Sequence, residues 1–238
     1  MEKNRLLKFI NQYYLGGATA AVKWEAKDGG TSLRFVSADN NVIGEVAVKD
    51  LDFGDNEIGV YESTTLVKML TVLDEKLDVS VQERGGKPSH ISISDGAVDL
   101  TFMLADLKTV PPVPDLKHMP DMVVSIDITN DFRTRFIKGK SALPDATNFG
   151  VMCKDGNIEL VVNYSSLNTN RIQFTLDGTS TSDMPITCFS ANLFKEILTA
   201  NKDATSGKFE VSPAGLAVVT FTHDSYDSKY YLVKLQEA

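Results

Sequence analysis

Two stretches of the chain carry the same succession of apolar and polar positions. Each runs from a strand-like segment into a helical period and then through two alternating segments that a turn separates; the first starts at Ile58 and the second at Met184. Ser63 and Ser190 stand just before the helical periods, where an N-cap side chain is favoured. This internal repeat predicts that the chain contains two copies of one unit.

The segments upstream of each stretch also match. Residues 2–14 and 130–142 have the apolar spacing of a helix, and each helix precedes three alternating, strand-like segments. These strands are expected near residues 19–25, 32–37 and 42–48 in the first copy, and near 148–153, 157–163 and 170–176 in the second. A further strand, 122–128, precedes the helix of the second copy, whereas the first copy has at most a minimal leading strand.

The copies are separated by residues 105–121, which contain four prolines. Proline excludes this segment from a helix or a central strand, so we expect an exposed connector. The predicted domains are therefore 1–104 and 122–238, joined by a connector at 105–121. The predicted fold class is α+β, with two helices of each domain packed on an antiparallel sheet.

The outer faces of the four predicted helices carry basic and short polar side chains. At 100° per residue, the apolar stripes point one way and the cations point the other way or to the flanks. In the helix at 130–142, for example, Phe132 and Phe136 form the inner stripe and Lys138 lies opposite. The outward cations of the four helices are Arg5, Lys8, Lys68, Arg133, Arg135, Lys138, Lys195 and Lys202.

Charge is divided unevenly along the chain. The net charge is −8, yet the four helical segments together carry +5 and the remainder −13. A polyanion held by the helices and repelled by the rest is the simplest physical use of this division. Such contacts go to phosphates and carry no sequence information. Because the helix faces lack interleaved aromatic residues, the backbone of a duplex is favoured over stacked single strands.

Composition argues against several other classes of protein. The two cysteines lie in apolar runs, which indicates unpaired thiols in a reducing compartment. The sequence has no metal-binding motif, no signal peptide and no apolar run of the roughly 20 residues that a membrane span needs. The three histidines are not in a catalytic spacing. We expect a soluble, cytoplasmic protein that is not an enzyme and uses no cofactor.

In order and spacing, these features resemble the DNA sliding clamps, the ring-shaped processivity factors of DNA polymerases. The stretch MPDMVVSIDITNDFRTRFIKGKSALPDATNFGVMCKDGNIELVV is similar to the start of the second domain in two-domain clamps. The C-terminal SKYYLVKLQEA is similar to the last strand of eukaryotic-type clamps, and LLKFINQYYLGGATAAVKWE to clamps of T4-type phages. The resemblance covers nearly the whole chain.

The resemblance implies a homotrimer that closes into a ring around double-stranded DNA. The eight outward cations would line the hole. Reversing the charge of Arg133, Arg135 and Lys138 is expected to leave folding and assembly intact but to cut stimulation of the cognate polymerase. The partners implied are a DNA polymerase and a clamp loader. For a viral protein, the compartment would be the host cytoplasm.

Two further sites follow from the resemblance. Subunits of the family join edge to edge, through the strands that match residues 98–104 and 171–176; the interface residues would be Asp99, Thr101, Met103, Arg171, Gln173 and Thr175. Partners insert a short hydrophobic peptide beneath the connector; the matching residues are Leu107, Val110, Pro111, Val113, Tyr231 and Val233. For Tyr231, an ordinary packing role explains the residue equally well.

Two other functions fit part of this pattern. A monomeric polymerase accessory factor would keep the basic helix faces but lack a matching pair of edge strands. A virion structural protein could share the fold, but it would have no use for the division of charge.

Overall fold

The chain folds as two compact α+β units. The computed structural model describes residues 1–167 and 169–236. The first unit contains residues 1–38, 44–114 and 224–228, and the second contains 39–43, 115–223 and the residues from 229 onward. The α+β class is confirmed, whereas the domain limits of 1–104, 105–121 and 122–238 stay a prediction.

Each unit contains two helices. Of the predicted helices, the one at 130–142 has the predicted limits, and the one predicted at 2–14 begins one residue later. The helices are α1 (Lys3–Tyr14) and α2 (Ser63–Leu70) in the first unit, and α3 (Asn130–Ala142) and α4 (Ala191–Ala200) in the second.

The strands follow the predicted order. In the first half of the chain they are β1 (Val22–Lys27), β2 (Gly30–Val36), β3 (Val42–Val48), β4 (Asn56–Val60), β5 (Asp78–Glu83), β6 (Pro88–Ser94) and β7 (Asp99–Met103). In the second half they are β8 (Val124–Asp127), β9 (Asn148–Lys154), β10 (Asn157–Val162), β11 (Ile172–Leu176), β12 (Thr179–Ser180), β13 (Met184–Ser190), β14 (Ser206–Ser212), β15 (Leu216–His223) and β16 (Tyr226–Val233).

The sheets of the two halves have corresponding strand orders. In the first half the orders are β4-β1-β2-β3 and β5-β6-β7. In the second half they are β13-β9-β10-β11 and β12-β8-β14-β15-β16. Neighbouring strands pair antiparallel, as in β1 with β2 and β9 with β10.

A nearly constant offset relates the two halves. The first residues of α1 and α3, Lys3 and Asn130, are 127 positions apart, and so are the first residues of β7 and β16, Asp99 and Tyr226. β2 and β10 also begin 127 positions apart, and β5 and β14 begin 128 apart. The duplication that the sequence predicts is therefore present in the structure, and residues can be compared pairwise between the halves.

The leading strand of the first half is reduced to a single bridge. Glu2 pairs with Lys76, the backbone N–H of Leu77 donates to the carbonyl of Met1 at 2.8 Å, and the Met1 ammonium donates to the carbonyl of Leu77 at 2.7 Å. In the second half, β8 makes the fuller pairing with β14. The expectation of a minimal leading strand is confirmed.

Aromatic rings join the helices to the sheet in each core. In the first unit Phe9 of α1 meets Trp24 of β1 edge to face, with ring centroids 5.3 Å apart. In the second, Phe194 of α4 stacks on Phe149 of β9 at 4.8 Å. These rings are fully buried, and each such contact adds about 0.5–1.5 kcal/mol beyond the area it buries.

The helix caps agree with prediction in one half only. Ser190 accepts the N–H of Leu193 at 3.3 Å and caps α4, as expected. Ser63 is instead the first residue of α2, and its buried hydroxyl donates to the carbonyl of Ala20 at 3.0 Å. The predicted cap at Ser63 is wrong because the helix begins one residue earlier than expected, with Glu62 at the N-cap position.

Asp95 fixes the hairpin that leads into β7. Its carboxylate accepts the N–H groups of Asp74, Ala97 and Val98, each at 2.8 Å. These donors, with that of Asp74 first, hold the pKa of Asp95 below its usual value. The hairpin is thereby tied to the segment that follows α2.

Arg133 departs from its predicted position on the outer side of α3. The side chain is buried, and its guanidinium donates to the carbonyl of Lys202 at 3.0 Å and to the side-chain oxygen of Asn130 at 2.7 Å. It also reaches the carbonyl of Asn201 at 3.4 Å. Arg133 therefore satisfies carbonyl groups beyond the end of α4, where a cation also complements the helix dipole.

Replacing Arg133 is expected to destabilise the protein. Arg133→Ala leaves buried carbonyls without their charged donor, so the free energy of unfolding should fall by about 2 kcal/mol. Arg135→Ala, two residues along on the exposed side of the same helix, should change it by less than about 0.5 kcal/mol. Urea unfolding of both variants measures this, and equal stability would contradict the assignment.

Candidate nucleic-acid interface

The exposed side of α3 forms a regular stripe. Asp131, Thr134, Arg135, Lys138 and Ser141 are all exposed and recur at spacings of three and four residues. Arg135 Nε lies 2.8 Å from Asp131 Oδ2, an exposed pair at i, i+4 that contributes a few tenths of a kcal/mol. Lys138 and Arg135 of this stripe are exposed, so both can reach an approaching anion, although Arg135 would exchange its contact with Asp131.

In the first unit, α1 and α2 lie antiparallel. Tyr14 Oη and Thr64 Oγ1 are 2.9 Å apart at one end of the pair, and Lys3 Nζ donates to the carbonyl of Leu73 at the other. Asn4 and Asn11 of α1 are exposed, as is Lys68 of α2. Gln12 of the same helix is polar but buried, because it faces the inner side of α1.

The eight predicted DNA-facing cations differ in their freedom to bind. The guanidinium of Arg133 is buried and donates to carbonyl groups beyond the end of α4. Arg5 is half-buried and donates from Nη2 to the carbonyl of Lys49 at 2.5 Å, with Asp50 at 3.3 Å. Lys8 is half-buried, with its Nζ 4.2 Å from the centre of the Tyr226 ring. Lys195 is half-buried, and the four exposed cations are Lys68, Arg135, Lys138 and Lys202.

The offset between the halves identifies one pair of equivalent cations. Lys8 and Arg135 are 127 positions apart, and each is the sixth residue of its helix. α2 and α4 begin 128 positions apart, at Ser63 and Ala191, so Lys68 corresponds to Glu196, the residue after Lys195. Arg5 and Arg133, which bind partners within the chain, correspond to Phe132 and Leu6. The sequence contained this signal, but only exact alignment of the helices reveals it.

The observed helix limits sharpen the division of charge. The net charges are +3 for α1, +1 for α2, +3 for α3 and 0 for α4. The helices therefore carry +7, and the rest of the −8 chain carries −15. Lys140 of α3 contributes to this total, although its ammonium is buried against the carbonyl of Pro144 at 2.8 Å.

The predicted interface residues of the first half lie on the last strand of a sheet. β7 ends the order β5-β6-β7, and the side chains of Asp99, Thr101 and Met103 are exposed. The N–H of Leu104 donates inward to Ser89 at 3.0 Å. Because hydrogen-bonded positions alternate in an antiparallel pair, the backbone groups of Thr101 and Met103 point away from β6.

The predicted residues of the second half have the same arrangement on β11. This strand ends the order β13-β9-β10-β11, and Gln173 and Thr175 are exposed on it, with Arg171 just before it. The N–H of Asn163 donates to β9 at Asn148, so alternation along β10 and β11 turns the backbone groups of Gln173 and Thr175 outward. Both edges present unpaired donors and acceptors.

The predicted peptide-binding residues fall in both units. In the first, Leu107 is exposed in a short 3-10 turn, Val110 and Val113 are half-buried, and Pro111 is exposed. In the second, Tyr231 is buried with the Lys229 ammonium 5.0 Å from its ring centre, and Val233 is exposed. The packing role that the sequence allowed for Tyr231 agrees with this burial.

Other chemistry is sparse in the described part of the chain. Neither Cys153 nor Cys188 is in a disulfide bond; the first is buried and the second half-buried. Residues 1–167 and 169–236 contain no group of histidine, cysteine and carboxylate side chains that could hold a metal ion. Within the same residues, no helix is both long and apolar enough to cross a membrane.

Comparison with known proteins identifies the architecture. No protein-family model matches the chain, and no curated protein matches it in sequence. Among solved structures, the chain is similar to proliferating cellular nuclear antigen (PCNA) from Entamoeba histolytica, with a TM-score of 0.73, 12% identity, and coverage of 99% of this chain and 96% of that one.

Two further structures have the same architecture. PCNA from Thermococcus kodakaraensis matches with a TM-score of 0.74 at 11% identity, over 99% of this chain and 98% of that one. A. fulgidus PCNA, in a structure with the C-terminal region of FEN-1, matches with a TM-score of 0.73 at 14% identity, over 100% and 98%. The chain therefore has the fold of the sliding clamps.

Proposed function

We propose that this chain is a DNA sliding clamp, a homotrimeric ring that encircles duplex DNA and tethers a DNA polymerase. The observation that carries the proposal is the division of charge, with +7 on the helices and −15 elsewhere. A chain that attracts phosphates through its helices and repels them elsewhere restricts DNA to the helix faces.

The repeated cations suit a contact that moves. Lys8 and Arg135 occupy one equivalent helix position in the two halves of each chain, so three chains would present this cation six times. Exposed lysines and arginines bind phosphates without reading bases. Many weak and equivalent contacts permit sliding, because no register along the duplex is preferred over the next.

The strand edges support association of copies head to tail. β3 and β16 each contribute residues to both units, since 39–43 belong to the second unit and 224–228 to the first. The counterpart of β3 in the second half is β11, and the counterpart of β16 in the first half is β7. β11 and β7 are the two strands with outward-facing backbone groups. We infer that β7 of one copy pairs with β11 of the next, which is a heterologous contact that can close into a ring.

The connector is the proposed place for partners. Leu107, Val110, Pro111 and Val113 give it apolar side chains at or near the surface, with Tyr231 and Val233 as the further candidates. In one of the similar structures, the C-terminal region of FEN-1 is bound to A. fulgidus PCNA. For this chain, the partners are proposed to be a polymerase and a clamp loader, and no catalytic step is assigned to it.

A threading experiment tests the ring directly. Linear duplex DNA with biotin at both ends is incubated with the protein, and streptavidin is then added to block the ends. A ring should stay on the DNA through a wash at high salt, because the link is topological, and a restriction cut should release it. Loss of the protein in the wash, with binding at low salt only, would indicate an accessory factor that holds one side of the duplex.

Neutralising exposed helix cations should weaken DNA binding. Lys68→Gln, Arg135→Gln and Lys138→Gln together should lower affinity for a short duplex and reduce the slope of log affinity against log salt by roughly one for each lost phosphate contact. The control is Lys27→Gln, Lys87→Gln and Lys154→Gln, three exposed lysines outside the helices with the same change of charge. Equal weakening by both sets would contradict the proposed interface.

Proline substitutions at the two strand edges should disrupt each side of the proposed subunit contact independently. Thr101→Pro and Thr175→Pro each remove an outward-facing N–H, so each chain should fold but fail to form the trimer of about 78 kDa expected from a 26.1 kDa chain. Mixed together, they retain one intact β7 and one intact β11 and should form a heterodimer of about 52 kDa. Light scattering on a size-exclusion column measures the masses. A dimer of either variant alone would instead indicate that like edges pair.

A further inference from the structure

The connector begins with an attachment to β4. The N–H of Ala105 donates to the carbonyl of Gly59 at 2.9 Å, and the two residues form an isolated bridge. A Cβ atom at position 59 would lie 2.5 Å from the carbonyl oxygen of Ala105 and 3.6 Å from a methyl group of Leu107. Only glycine lets the two backbones approach this closely.

A second attachment lies nine residues further on. Arg34 of β2 donates from Nη2 to the carbonyl of Pro114 at 3.1 Å, while its Nε lies 3.4 Å from Glu45 Oε1. The planar guanidinium can hold both groups at once, and the carboxylate restricts the rotamers of the arginine. Arg34 therefore joins the surface of the first unit to the last residue of the connector that belongs to that unit.

Among the described residues, the hydrogen bonds between the two attachments are local to the segment. Asp106 stabilises a short turn by accepting the N–H of Lys108 at 2.9 Å, and the N–H of Val110 donates to Leu107 at 3.3 Å. Pro111 and Pro112 follow, and neither has an N–H to donate. The position of Val113 therefore depends on the attachment at Pro114.

The fold itself does not require an arginine at this position of the strand. The residue 127 positions after Arg34 is Val161 of β10, which is 4% exposed. A buried valine thus occupies the equivalent place in the other half, where no connector follows in the described chain. The arginine is present in the half whose sheet the connector crosses.

We propose that Arg34 is a positioning residue that fixes the far end of the connector and so presents residues 107–113 in one conformation. The purpose of this positioning rests on the proposed function, in which residues 107–113 receive the partner peptide. The positioning itself does not depend on that function, because the hydrogen bond from Arg34 to Pro114 is a property of the single chain.

Limited proteolysis tests the proposal. Lys108 is exposed within the segment and provides a trypsin site. Arg34→Ala should accelerate cleavage after Lys108 by roughly five- to tenfold, the factor expected for the loss of one solvent-exposed hydrogen bond. The cleavage rate of Arg34→Lys should lie between those of the unmodified protein and Arg34→Ala. A lysine can reach the carbonyl but cannot also hold Glu45 in a planar fork.

The matched control is Lys23→Ala. Lys23 lies on β1 of the same sheet and binds two carboxylates, Glu25 at 2.6 Å and Glu57 at 2.9 Å, without reaching the connector. Lys23→Ala should leave the rate of cleavage after Lys108 unchanged. Lys23→Ala and Arg34→Ala should have similar midpoints of thermal unfolding. Faster amide exchange at Thr109 and Val110 in Arg34→Ala alone would give independent support.

Two outcomes would overturn the proposal. One is an unchanged cleavage rate in Arg34→Ala, and the other is equal acceleration by Lys23→Ala, which would mean that any lost ion pair loosens the sheet. Neither outcome bears on the threading experiment, so failure here is distinguishable from failure of the proposed ring.

Discussion

The structure depends on the requirement that each helix bury one side against a sheet. Phe9 and Phe194 meet that requirement with rings that contact Trp24 and Phe149. Once these rings are buried, the opposite side of every helix must face water, and its composition is free to serve another purpose. In this chain α1, α2 and α3 carry net positive charge, α4 is neutral, and the strands and turns carry the compensating negative charge. The same packing that stabilises the fold therefore also sorts the charges.

Sequence periodicity predicted the elements well because they repeat a simple pattern. The helix at 130–142 and the strand at 42–48 have the predicted limits, and the Pro-rich connector is exposed as expected. Local chemistry also predicted the cap at Ser190. These features depend on neighbours close in the chain, which a sequence displays directly.

The residues whose positions were predicted wrongly from the sequence are those whose partners lie far along the chain. Arg133 occupies a flank of α3, and a helical wheel cannot show that carbonyls 68 and 69 residues later lie beside that flank. Ser63 bonds to Ala20, 43 residues earlier, instead of capping its own helix. For the candidate site, periodicity identified the basic side of the helices, but only tertiary contacts separate available cations such as Lys138 from committed ones such as Arg133.

The two unpaired strand edges carry different charges, and this has a consequence for self-association. Exposed edges are templates for uncontrolled strand addition and aggregation. Asp99 lies at the start of β7, whereas Arg171 precedes β11. Charged side chains on an edge strand oppose such addition. Asp99 and Arg171 therefore act against disordered growth at concentrations where the edges are still uncovered.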